Sequence, residues 1–207
     1  MALKARLRER QIVLGRRVQV ARLCGSDEIA RWAKVQDEGG LTLRANLGFS
    51  AGFVHETIDP AELRKLIAAL DDDRKYAKGL ISVSSVKIFC DGVMEHPAQT
   101  AAMLKPYNVN SGGAGKPVWR PGMSRGPDPA CSNARQGFVA LDKAGWQIHV
   151  HAIGDRATRE ALDNFQAARD ANGARDLRHT ITHLEAIDAA DIARFPGLGV
   201  IASMSLQ

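Results

Sequence analysis

The sequence predicts an α/β protein built on a parallel sheet, and three observations carry that prediction. Helical and strand-like segments alternate from about residue 27 to the end of the 207-residue chain. Glycine and proline punctuate the joints between them, as loops between regular elements require. Composition is that of an ordinary globular domain, with 45% hydrophobic and 25% charged residues, which argues against a disordered, collagen-like or disulfide-scaffold chain. Strands separated by helices imply right-handed crossovers, and leave open either a doubly wound sheet or part of a barrel.

Taken in order, Ser26–Asp27 can cap a helix running through Glu38, and Gly39–Gly40 stops it. Leu41–Leu47 alternates apolar and polar residues and reads as a strand. Asp59–Pro60 opens the next helix, with proline at the first position, where its missing N–H costs nothing. Leu63, Leu66, Ile67 and Leu70 form one face of that helix, which Gly79 ends, and Ile81–Cys90 is a β-branched strand. Residues 106–131 carry ten glycines and prolines and read as a long loop over an active-site face. A helix over Asn133–Lys143, a strand over Trp146–Ala152, a helix over Asp155–Asn172 and a strand over Thr180–Leu184 follow. A helix over Ala189–Phe195 and a strand over Val200–Met204 complete the pattern.

The net charge of +5 is unevenly placed. Residues 1–23 hold seven bases, Lys4, Arg6, Arg8, Arg10, Arg16, Arg17 and Arg22, against Glu9, so residues 24–207 sum to −1. A basic tail over 1–26 is therefore set apart from a domain over 27–207, and the near-neutral domain gives no reason to expect a nucleic-acid partner. No run approaches ~18 apolar residues, so no membrane partner is expected either. Cys24, Cys90 and Cys131 are sparse, odd in number and lack a CxxC pair. That usage suits a cytoplasmic protein with unpaired cysteines.

α/β folds place their chemistry at the C-terminal ends of strands. Three groups stand there. Lys87, in VKIFCDG, is flanked by Val86, Ile88 and Phe89, surroundings that strip an ammonium of water and favour loss of charge, a partner or modification. His149 and His151, two apart in HVHAIGD, share one face of a strand and suit metal ligation. His179 and His183 in RHTITH share a face as well, and His183 is the better placed of the two. Asp155 reads as the cap of the following helix. No P-loop, no GxGxxG following a strand and no GxSxG elbow at a strand-to-helix turn is present.

Four stretches, GGLTLRANLG, SVKIFCDGVMEHPAQTAAMLKPY, GWQIHVHAIGDRATREALDNFQAAR and RHTITHLEAIDAADIARFPGLGVIAS, together resemble the amidohydrolase superfamily. They are most similar to amidohydrolase family 3, the group that includes N-substituted formamide deformylases. The resemblance implies a (β/α)8 barrel with a divalent metal, zinc foremost, at its C-terminal mouth. It implies that metal-activated water hydrolyses a C–N bond of a small-molecule amide or formamide. It assigns Lys87 as a carboxylated metal bridge and His151 and His183 as ligands, leaving His149, His179 and Asp155 to supporting positions.

The resemblance also marks departures. The family's first-strand HxH pair and last-strand aspartate, its catalytic acid–base, have no counterpart in this sequence, and Thr182 stands where related motifs read Glu. A full barrel takes ~250 residues. The expectation is a partial barrel, about strands three to seven, of little or no activity by itself. The alternative is a non-catalytic interaction module that self-associates through open sheet edges.

Overall fold

The computed structural model describes residues 17–23, 26–51, 58–113, 115–127 and 130–204, with side chains from residue 27 onward. The tail bases Lys4 to Arg16, Cys24 and Pro129 lie outside the described residues. The chain divides into two compact units, one holding residues up to 52 and 59–87, the other 53–58 and 88–207.

In the first unit, strand β1 (Arg17–Leu23) pairs in parallel with β2 (Arg44–Ser50), and β2 pairs in parallel with β3 (Ile81–Phe89). β1 begins and ends within the segment that composition marks as a tail. The basic residues there accompany a backbone paired with β2, and charge composition does not report pairing. Helix α1 (Ser26–Asp37) closes with Gly40 N–H donating to Val35 O and Gly39 at φ +68°, the left-handed stop that glycine supplies. Helix α2 (Pro60–Asp73) starts as expected: Asp59 accepts from Ala61 N–H at 2.6 Å and Pro60 occupies the first turn. Leu63, Leu70 and Asp73 are its buried residues, and a 3-10 turn (Arg74–Tyr76) extends it toward β3. Gln36 Oε1 accepts from Leu80 N–H at 2.6 Å, tying the α1 end to the entry of β3.

In the second unit, β6 (Gln147–Ala152), β7 (Thr180–His183) and β8 (Ile201–Met204) run parallel, in that order. The 106–131 segment is not wholly irregular. It contains a short antiparallel hairpin of β4 (Asn108–Asn110) and β5 (Trp119–Pro121). Helix α3 (Arg135–Lys143) is entered through a 3-10 turn at Ser132–Ala134, and helix α4 spans Asp155–Asn172. The helix expected over 189–195 is two short ones, α5 (Ala189–Ile192) and α6 (Arg194–Leu198), the second ended by Gly199 at φ +69°. The core is fully buried at Phe138, Leu141, Trp146, Ile148, Val150, Leu162 and Ile181. It packs α3 and α4 behind β6 and β7. Among the described residues no helix is long and apolar enough to cross a membrane.

Candidate active site

The C-terminal ends of β6 and β7 bring two of the expected residues together. His151 is the penultimate residue of β6 and His183 the last of β7, and the register sets His183 opposite Ala152. Their rings meet edge to face, with centroids 4.5 Å apart. His151 Nε2 lies 2.8 Å from Gly92 O. A carbonyl oxygen only accepts, so the neutral ring carries its proton on Nε2 and keeps its lone pair on Nδ1. A backbone bond that fixes the tautomer in this way is the usual support of a metal-ligating imidazole.

His183 sits at φ +82° and the next residue, Leu184, at φ +56°. Neither is glycine, and left-handed backbone costs an L-residue ~1–2 kcal/mol. The turn is held because Leu184 N–H donates to Ala152 O and Ala186 N–H to Ile153 O. Strain retained at two successive positions marks the end of β7 as a place where side-chain aim outweighs backbone comfort.

Asp91 organises the space between these strands and was not singled out by sequence reasoning. Its carboxylate is buried and accepts from Ile153 N–H at 3.0 Å, Gly154 N–H at 2.8 Å and Ala102 N–H at 2.9 Å. His151 Nε2 lies 3.5 Å from Asp91 Oδ1. Burial pushes the Asp91 carboxyl above its ordinary range, while the three N–H donors and the neighbouring His183 pull it back. The signal that could have found it is the Asp-Gly pair directly after a strand.

Asp155 is not the cap of α4. Gly154 takes the cap position, because a Cβ there would lie 2.0 Å from Ala102 O. Asp155 lies one residue inside the helix and accepts instead from Leu104 N–H at 2.7 Å. Around it the first turns of α4 hold the long loop. Arg156 and Ala157 N–H both donate to Ala102 O. The buried Arg156 guanidinium donates to Met103 O at 3.1 Å, to Arg125 O at 3.3 Å and to Pro127 O, and pairs with Glu160 at 3.2 Å. Glu160 Oε2 accepts from the N–H groups of Ala130, Cys131 and Ser132 at 2.8–3.0 Å. Arg156 and Glu160 were also missed, although their i,i+4 spacing just past a strand end was visible.

Cys90 and Cys131 form a disulfide with Cα atoms 4.8 Å apart, which corrects the expectation of unpaired cysteines. The 41 residues separating them in sequence concealed the pairing. With it the cysteine argument for the cytoplasm falls away.

The remaining candidates separate cleanly. His179 stands at the opposite end of β7, where Nδ1 accepts from Ile148 N–H at 3.0 Å and Nε2 lies 3.0 Å from Asp142 Oδ1. It stacks on Phe165 at 4.9 Å, and burial holds its pKa below the usual histidine value. His149 lies half-buried opposite Thr180, lower on β6 than His151. In the first unit, Lys87 is buried near the end of β3, in register with Ser50, and desolvation lowers its pKa to about 8. A neutral lysine amine is the form that adds carbon dioxide, so the environment suits the carboxylated ligand that the sequence suggested. Trp119 stands 65% exposed on the hairpin rather than plugging the core.

The donor chemistry fits a divalent metal in part. Two converging imidazoles are suitable nitrogen ligands, yet no cluster of three or more His, Cys, Asp or Glu poised to hold a metal occurs among the described residues.

Comparison with known proteins decides the family. The amidohydrolase family pattern matches residues 6–207. The chain belongs to the amidohydrolase family. It is 28% identical over 174 residues to the exoenzymes regulatory protein AepA of Pectobacterium carotovorum, covering 84% of this chain and 33% of that protein. A 66-residue stretch is 39% identical to the protein LONG AFTER FAR-RED 3 of Arabidopsis thaliana, covering 32% of this chain and 11% of the relative. Two uncharacterized metal-dependent hydrolases share its fold. The one from Pyrococcus horikoshii has a TM-score of 0.56 at 19% identity over 90% of this chain. The one from Pyrococcus furiosus has 0.55 at 21% over 88%. This family member spans about a third of the length of AepA and of both solved hydrolases.

Proposed function

We propose that this chain carries the central part of a metal-dependent amidohydrolase barrel, of the formamide deformylase kind, which hydrolyses a C–N bond of a small amide. The observation that carries the reading is the pair His151 and His183, meeting at 4.5 Å on neighbouring strand ends, with His151 Nε2 2.8 Å from Gly92 O. His151 and His183 would hold a divalent ion, zinc by the chemistry of two imidazoles, and the family resemblance adds Lys87 as a carboxylated ligand. Bound there, such an ion would supply a nucleophilic water and polarise the amide carbonyl.

The chain's own residues do the positioning. Gly92 O fixes the His151 tautomer, and Asp91 locks Ile153 and Gly154 so that the β6 end cannot shift. The left-handed turn at His183 aims its ring toward His151.

Cobalt titration tests the reading. Stoichiometric uptake with visible d–d bands is expected, lost in His183→Ala and weakened in Lys87→Ala. Absence of metal uptake by the folded chain would sink it. A carbamate carbon signal from 13C-labelled carbon dioxide, absent in Lys87→Ala, tests the assignment of Lys87 separately.

A further inference from the structure

Beside Asp91 lies an open cavity of about 570 Å³ whose walls include Ala98, Gln99, Thr100, Ser124 and Gly126. It shares Asp91 and Gly92 with the histidine site, since Gly92 O is the atom that holds His151. Its walls are fixed. Arg156 grips the carbonyls of Arg125 and Pro127 on either side of Gly126. Gly126 packs so tightly that a Cβ would lie 2.1 Å from Ala101 O. Thr100 Oγ1 accepts from Val93 N–H at 3.1 Å, and a Cβ on Gly92 would lie 2.1 Å from the same oxygen.

Gln99 differs from these neighbours. Its backbone is left-handed, at φ +43°, and its N–H is bonded to Glu95 O. Its half-buried carboxamide makes no hydrogen bond among the described residues, so a donor and an acceptor at the cavity wall stay available. Among the described residues the lining holds no lysine, no arginine, no aromatic ring and no large aliphatic side chain, and the Asp91 side chain is fully buried behind it. A site so lined offers an anion no cation to pair with and an apolar group little to pack against. It rewards a neutral group that both donates and accepts.

We propose that this cavity receives a neutral, hydrogen-bonding substituent on the nitrogen of the amide substrate, and that Gln99 selects it. The proposal rests on the amidohydrolase reading for the identity of the scissile bond. It places the reacting amide near His151 and its polar N-substituent across Asp91–Gly92, against residues 98–100 and 124–126.

Saturation-transfer NMR on the 207-residue chain tests this with three probes: N-(2-hydroxyethyl)formamide, N-formylglycine and N-benzylformamide. The hydroxyethyl probe is expected to bind about tenfold more tightly than either of the others, the ratio set by one hydrogen bond made or lost. Gln99→Leu should erase most of that preference, and Ala98→Trp should abolish binding by filling the cavity. Gln99→Gly, which suits the left-handed backbone and so keeps the fold, should match Gln99→Leu. Equal or tighter binding of N-formylglycine or N-benzylformamide, no effect of Ala98→Trp in a folded variant, or no binding of any probe would overturn the proposal. Cobalt uptake separates the two readings. A chain that binds cobalt but no probe loses the subsite and keeps the amidohydrolase reading. A chain that binds the hydroxyethyl probe in a Gln99-dependent way but no cobalt keeps the subsite and loses the metal chemistry.

Discussion

A histidine stands at each end of strand β7, His179 just before it and His183 as its last residue, and the two are held in opposite ways. At its start, both nitrogens of His179 are used by the chain, one by Ile148 N–H and one by Asp142, with Phe165 stacked on the ring. At its end, His183 sits on a left-handed backbone and faces a second imidazole whose proton is parked on a carbonyl. The first arrangement satisfies the ring internally and stabilises the fold. The second spends conformational energy to aim side chains at a shared point. The same residue type, four positions apart in sequence, is thus satisfied internally at one end of β7 and, on the proposed reading, serves chemistry at the other, a division common among α/β enzymes.

The largest effect should come from breaking the stable end. His179→Leu leaves the Ile148 N–H and the buried Asp142 carboxylate without the ring, and about 3 kcal/mol of stability should be lost. Urea unfolding measures it. A loss below about 1 kcal/mol would show that the base of β7 is not held by this ring. Next in size is the latch over the active end. Arg156→Met strips the carbonyls of Met103, Arg125 and Pro127 of their donor and leaves Glu160 without its cation. Amide exchange across 103–132 should rise by at least about tenfold while β6 and β7 stay protected. Uniform acceleration throughout the unit would mean that Arg156 supports the whole fold rather than the loop.

Acid separates the two ends through charge. The His179 pKa is lowered in the folded protein because burial opposes the charged ring, with Asp142 acting the other way. The unfolded state therefore binds more protons between the folded value and about 6.5, so stability falls as pH drops through that window. One such group gives a slope of at most about 1.4 kcal/mol per pH unit. Replacing His179 by Gln should flatten the slope between pH 7 and pH 5 in chemical unfolding, and an unchanged slope would place the titrating group elsewhere.

The sequence made the stable end easier to read than the active one. The glycine stop at Gly39, the Asp59–Pro60 start and the α4 span follow local rules that act within a few residues, and these were legible. The contacts that build the site are long-range. Asp91 reaches Ile153 and Gly154, Arg156 reaches back to Met103 and Arg125, and Cys90 bonds to Cys131. No periodicity reports such pairings. The positive φ at His183 was invisible too, because histidine there breaks the preference for glycine that sequence reading relies on.

The smallest effect is the most discriminating. If the left-handed turn at the end of β7 exists to aim a ligand, then His183 costs stability, and glycine relieves it. His183→Gly should leave the protein equally stable or up to about 1 kcal/mol more stable, while removing cobalt binding. His183→Ala removes the same ligand but keeps the strain, so it should be the less stable of the pair. Comparing the two variants by thermal unfolding cancels the lost ring contact with His151 and isolates the backbone. Were Ala and Gly equal, no strain would be stored at this position, and the contrast between the two ends of β7 would reduce to burial alone. A stability gain paired with a binding loss is the signature of a residue kept for what it holds rather than for what it packs.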